Sequence, residues 1–138
     1  MSKRDTDEFR RRYGQWALIA GSAEGMGIAY AERFARHGLD LVLLDRDGAG
    51  LDAQAKKLQA THGIEVRKIR CDLADTSRVE KLLDGLEALE IGMLVYNAAA
   101  ADSGPWLEVP LARKNMVVSV NVLTPLAPGL TPEMVAAV

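Results

Sequence analysis

The apolar positions of this chain fall into two alternating textures. Short continuous runs, Trp16-Ala17-Leu18-Ile19-Ala20, Leu41-Val42-Leu43-Leu44 and Ile91-Gly92-Met93-Leu94-Val95-Tyr96, are separated by longer stretches with apolar residues at helical spacing. Short continuous runs suit strands buried on both faces, and the helical period suits elements that cover them. Ile64-Glu65-Val66-Arg67-Lys68-Ile69 at first alternates apolar with charged residues, as an outer strand does. Helices are predicted over about residues 26–37, where Ile28, Ala31, Phe34 and Ala35 share a face, and over about 49–60, through Leu51, Ala55 and Leu58. Gly38 and the pair His62-Gly63 close these two helices, with His37 placed to complement the first dipole and His62 read as a cap. A capping box, Ser77-Arg78-Val79-Glu80, opens a third helix containing Val79, Leu82, Leu83 and Leu86. A fourth starts near Pro110 and runs through Asn121.

The order is therefore β-α-β-α-β-α-β-α. Buried strands joined by helices pair in parallel through right-handed crossovers. The fold class is α/β: a Rossmann-type doubly wound parallel sheet, incomplete, with strand order 3-2-1-4 and its cleft at the switch between strands 1 and 4. Residues 1–12 are expected to form a charged N-terminal segment, and residues 13–138 one partial domain of this fold. Within that segment Arg10-Arg11-Arg12 follows Asp5, Asp7 and Glu8, so the run reads as a solvated face.

The candidate chemistry begins at Gly21-Ser22-Ala23-Glu24-Gly25-Met26-Gly27, between the first strand and the first helix. Gly21 permits a sharp turn, Gly25 lets the backbone approach a pyrophosphate, and Gly27 lets helix and strand pack closely. The helix N-terminus then offers free N–H groups and a positive dipole end to the phosphates. Asp45 closes the second strand, where an acid can bond the adenosine ribose hydroxyls. Arg46 beside it could accept a 2′-phosphate, but repulsion from Asp45 and Glu24 disfavours one, so NAD is expected over NADP.

The Gly-x-x-x-Gly-x-Gly spacing resembles the short-chain dehydrogenase/reductase family, and further motifs match it in order. Cys71-Asp72-Leu73 resembles the family's adenine-contacting element, and Tyr96-Asn97-Ala98-Ala99 its Asn-Asn-Ala-Gly element. Val120-Asn121-Val122 resembles the segment carrying the active-site asparagine. The matches run over about residues 14–125. Tyr13-Gly14-Gln15-Trp16-Ala17-Leu18 and Gly27-Ile28-Ala29-Tyr30-Ala31 resemble the branch of 3-oxoacyl-CoA reductases and hydroxysteroid dehydrogenases. The resemblance implies cofactor contacts at Gly21, Ala23, Glu24, Gly25, Met26, Gly27, Asp45, Arg46, Asp72, Leu73, Asn97, Ala98 and Ala99, and a catalytic-site role for Asn121. It implies hydride transfer between nicotinamide and a carbonyl or alcohol.

Tyr96 and Ala99 depart from the family's element, and Ala99 would put a Cβ in a tight place. The family's chemistry also needs a serine and a Tyr-x-x-x-Lys motif, because a phenol of pKa about 10 is a poor base without a nearby cation. Tyr13, Tyr30 and Tyr96 are followed four residues on by Ala17, Phe34 and Ala100, so none fits. The prolines and glycine of Ala127-Pro128-Gly129-Leu130-Thr131-Pro132, before Glu133-Met134, interrupt the last helix. The expected readings are thus a truncated or partial oxidoreductase, inactive by itself, or a non-catalytic dinucleotide-binding fragment. An S-adenosylmethionine site on the same fold is disfavoured by the glycine spacing and Asp72.

Composition narrows the partners. The 138 residues are 49% hydrophobic, with 17 Lys+Arg against 19 Asp+Glu, a balance that speaks against nucleic acid or a membrane surface. Cys71 is the only cysteine, which is compatible with the reducing cytoplasm expected for it. No signal peptide or membrane span is readable, and no acid/His cluster has metal-ligand spacing. His62 is not read as a catalyst, nor Cys71 as a nucleophile, and Trp106 either borders a substrate pocket or simply packs. Strand 4 would expose an unpaired sheet edge, so a homo-oligomer or a partner covering that edge is expected.

Overall fold

β1 (Trp16–Ala20) is buried at every position and occupies the interior of the sheet. It pairs in parallel with β2 (Asp40–Asp45) on one side and β4 (Ile91–Tyr96) on the other, and β2 pairs with β3 (Val66–Arg70). The strand order is β3-β2-β1-β4, so the Rossmann-type topology anticipated from the alternating pattern is the one formed. The computed structural model describes residues 3–126. Its helices are α1 (Lys3–Tyr13), α2 (Gly25–Arg36), α3 (Gly48–His62), α4 (Thr76–Asp84) and α5 (Leu111–Val118). α5 widens into a π-helical turn, Ser119–Leu123, followed by a 3-10 turn, Thr124–Leu126. The interrupted stretch with Pro128 and Pro132 lies outside the described residues.

Two apolar layers sandwich the sheet. On one face Ala31 and Phe34 of α2 and Leu51, Ala55 and Leu58 of α3 pack against alternate residues of β1 and β2. On the other, Val79 and Leu83 of α4 and Val120 pack against Leu18, Ala20, Val42 and Leu44. This period-two division is why β1 and β2 read as continuous apolar runs. Residues Met93 to Tyr96 of β4 are only half-buried, as expected of an edge strand.

Residues 3–13 are helical, and part of that segment docks. Phe9 packs against the core and stacks on His37 with ring centroids 4.3 Å apart. Arg10 is half-buried, with Nη2 3.3 Å from Asp40 Oδ2, so the solvated-face reading holds for Arg11 and Arg12 but not for Arg10. The cause is Asp40, only 6% exposed at the start of a buried strand. Its carboxylate also accepts from Gln15 Nε2 (3.0 Å) and from the Glu65 N–H (2.8 Å), as a buried charge must.

Three expected caps differ. Asp75, not Ser77, caps α4: its carboxylate accepts from the Arg78 N–H at 3.1 Å. A charged acceptor outcompetes a hydroxyl at the positive end of a helix. Gly63, at φ 66°, closes α3, while the His62 ring turns onto Glu32 of α2 at 2.8 Å. Burial, then Arg33 and Arg36, push the His37 pKa down, so at neutral pH it does not carry the charge expected to complement the α2 dipole.

Candidate functional site

The C-terminal ends of parallel strands share one edge of a sheet. Here that edge presents, in order, the loops after β3 (Asp72, Leu73), β2 (Asp45, Arg46), β1 (Gly21 to Gly27) and β4 (Asn97 to Ala99). The sequence-selected residues thus meet along one line, with the π turn bearing Asn121 joined to its β4 end.

The glycine loop is anchored to its neighbours by backbone. The N–H groups of Gly21 and Ser22 donate to the Leu44 carbonyl at 2.8 and 3.3 Å, and the fully buried Ser22 hydroxyl donates to the same oxygen at 3.2 Å. Gly21 has φ 79°, and a Cβ there would lie 2.6 Å from the Ala98 nitrogen. A Cβ on Gly27 would overlap the Gly21 carbonyl oxygen. Gly25, at φ 55°, has open space where its Cβ would be. The first-turn N–H groups of α2, on Gly25, Met26 and Gly27, have no intrahelical acceptor. Open space, orphan donors and a positive dipole end coincide there, which suits an anion. Glu24 occupies the N-cap position without a side-chain cap bond, and Met26 is exposed.

Asp45 braces this loop. Its Oδ2 accepts from the Ala23 N–H at 2.9 Å and its Oδ1 from the Asp47 N–H at 3.0 Å. A carboxylate has about four lone-pair sites, so capacity for a hydroxyl pair remains. Arg46 is exposed, and its carbonyl accepts from Arg70 Nε at 3.2 Å. A cavity of about 670 Å³ adjoins them, lined by Arg46, Asp47, Gly48, Lys68 and Arg70 among others. Lys68 pairs with Asp52, whereas Arg46 and Arg70 have no carboxylate partner among the described residues.

Asp72 is exposed, and its Oδ1 accepts from the Ala74 N–H at 2.9 Å. The Leu73 side chain lies in the core, so only its backbone reaches the site edge. Its carbonyl accepts from the buried Thr124 hydroxyl at 2.6 Å. Asn97 Nδ2 donates to the Gly21 carbonyl at 3.1 Å, and the N–H groups of Asn97 and Ala98 donate to the Ala20 carbonyl. Ala99 is exposed, so the crowding expected of its Cβ does not arise within the chain. The Asn121 side chain closes on Ala100, accepting from its N–H at 2.8 Å and donating to its carbonyl at 2.7 Å.

Tyr96 donates its phenol to the Val120 carbonyl at 2.6 Å. Burial, with a smaller push from Cys71, raises its pKa to about 12. Cys71 is buried and its thiol is pushed up, by burial first and with Asp72 a lesser cause, so it stays protonated. Trp106 is 68% exposed, with the Lys114 ammonium over its ring. Among the described residues no His, Cys, Asp and Glu group could hold a metal ion, and no helix is long and apolar enough to cross a membrane. Ser22, Tyr96 and Thr124 were not singled out from sequence as anchors, because each donates to a backbone carbonyl far along the chain.

Residues 15–135 match the family model described as short chain dehydrogenase. The chain belongs to the short-chain dehydrogenase family. A 7beta-hydroxysteroid dehydrogenase of Collinsella aerofaciens is 30% identical over 115 residues, covering 83% of this chain and 44% of that protein. A very-long-chain 3-oxoacyl-CoA reductase of Danio rerio is 34% identical over 113 residues, 80% of this chain and 35% of its own. A short-chain dehydrogenase from Sphingobium yanoikuyae, solved in complex with NADPH, superposes with a TM-score of 0.75 at 38% identity, covering 86% of this chain and 47% of that one. This short-chain dehydrogenase chain thus spans less than half the length of these relatives.

Proposed function

We propose that the chain binds a nicotinamide dinucleotide along the C-terminal edge of its sheet, as the cofactor-holding part of an oxidoreductase acting on a carbonyl or alcohol. The observation that carries this reading is the open space over Gly25, bounded by orphan N–H donors and held by the Asp45 and Asn97 braces. The N–H groups of Gly25, Met26 and Gly27 would hold the pyrophosphate, Asp45 the adenosine ribose, and the backbone at Asp72 and Leu73 the adenine. The backbone of Asn97 to Ala99 would line the nicotinamide half, with Asn121 beside it. When bound, the dinucleotide supplies or accepts a hydride.

NADP(H) is the dinucleotide we assign, in place of the NAD favoured from sequence. Two guanidinium groups without carboxylate partners among the described residues, Arg46 and Arg70, line the cavity beside the end of β2 and suit a 2′-phosphate. The relative solved with NADPH supports the same choice. Calorimetry with NADPH and NADH tests both statements. About tenfold tighter NADPH binding is expected, lost in Arg70→Glu. Absence of binding by either dinucleotide would refute the reading, and tighter NADH would refute the NADP part alone.

Binding without turnover is the second reading. It is favoured by Tyr96, whose phenol at the end of β4 is committed to the Val120 carbonyl and has its pKa raised to about 12. Dinucleotide binding with no hydride transfer to any ketone in a broad panel would support it. A second copy or another partner over the β4 edge completes the proposal, since Met93 to Tyr96 are half-buried there.

A further inference from the structure

The π turn after α5 poses a problem of backbone accounting. In an α-helix the Val120 carbonyl would accept from the Thr124 N–H. Here that N–H goes to the Ser119 carbonyl, one residue further back. In the π register the donor for Val120 would be residue 125, and residue 125 is proline, which has no N–H. Val120 is 7% exposed, so its carbonyl needs a partner from elsewhere. The partner is the Tyr96 phenol, 2.6 Å away, from the end of β4.

We propose that Tyr96 is a positioning residue whose hydroxyl replaces the donor that Pro125 lacks, and so holds the π turn with Asn121 closed on Ala100. The two ends of the turn support this independently. On one side Asn121 makes two bonds to the Ala100 backbone, at 2.8 and 2.7 Å. On the other, Thr124, fully buried, donates to the Leu73 carbonyl at 2.6 Å. Tyr96 acts between them, so the loops after β3 and β4 are joined through one wide turn. Tyr96 also stands where the family's element has its first asparagine. The inference rests on the proposed cofactor site only for what the turn faces, not for the bond itself.

The test is a double-substitution cycle read by hydrogen exchange at the Ala100 amide, whose acceptor is Asn121 Oδ1. Tyr96→Phe keeps the ring and removes the donor, and should speed exchange about tenfold, the scale for stranding a buried acceptor. Pro125→Ala restores an N–H, so the double variant should return to within about twofold of the parent. Pro125→Ala alone controls for helix propensity: it should slow exchange by less than the rescue seen in the double variant, so that the excess reports the Tyr96 bond. Unchanged exchange in Tyr96→Phe, or equally fast exchange in the double variant, would overturn the proposal. Should Tyr96→Phe alone fail to fold, recovery of folding by Pro125→Ala reports the same coupling, and failure of both overturns it. Failure of the cofactor reading shows separately, as absence of NADPH binding by the unsubstituted chain.

Discussion

Asn97 donates to the Gly21 carbonyl at 3.1 Å across 76 residues of sequence, fastening the loop after β4 to the loop after β1. The two loops flank the point where the winding of the sheet reverses, which is where a doubly wound fold holds its ligand. The bond also fixes the carbonyl next to Ser22, on the loop whose later N–H groups form the first turn of α2.

Asn97→Ala should therefore loosen the site more than the fold. A typical net hydrogen bond is worth about 1 kcal/mol. Dinucleotide affinity should fall roughly fivefold, measured by calorimetry, with little change in helix content by circular dichroism. An affinity equal to that of the parent would show that the bridge does not organise the loop.

The glycines of the loop should separate by mechanism. Gly27→Ala drives a Cβ into the Gly21 carbonyl oxygen and should cost about 3 kcal/mol, or roughly 10 °C in Tm. Gly25→Ala meets nothing within 4 Å and pays only for left-handed backbone at φ 55°. That cost is about 1 kcal/mol. Thermal melts of the two variants check the ranking, and equal losses would contradict the geometry.

Asp40 joins α1, β1, β2 and β3. Asp40→Asn cannot accept at both carboxylate oxygens, so it leaves either the Glu65 N–H or the Arg10 and Gln15 donors unpaired. A loss of about 2 kcal/mol is expected. Hydrogen exchange should show α1 opening first, while the glycine loop on the far edge keeps its protection.

Tyr96 should give the chain an alkaline limit. Its folded pKa, about 12, lies above the ordinary phenol value of 10. The neutral phenol is the form that folding favours, so its contribution is fully present below pH 10 and is lost as pH rises toward 12. Urea titrations at pH 9 and 11.5 should show a fall in stability that is smaller in Tyr96→Phe. An identical fall in both proteins would assign the loss to other groups.

Much of this was legible because it is local. The strand runs, the helical faces of Ala31 and Phe34 or Leu51 and Leu58, and the glycine loop all follow from spacing within one element. Even there, charge decided between near neighbours: Asp75 takes the α4 cap that the Ser77 box advertised. The role of Asp45 was half legible. Its place at the end of β2 pointed to the ribose, but its hold on Ala23 depends on a loop 22 residues away.

By itself, the sequence determined the alternation of strand and helix, hence the parallel sheet and the place of its cleft, because buried strands and amphipathic helices announce themselves by period. It also marked the family through motifs at loop positions. Only the tertiary structure decided which distant groups tie the elements and loops together. Asn97 on Gly21, Tyr96 on Val120, Thr124 on Leu73 and Arg10 on Asp40 are long-range bonds, three of them to backbone carbonyls. A carbonyl is present at every residue and carries no side-chain signature, so only the folded chain shows which one a donor finds.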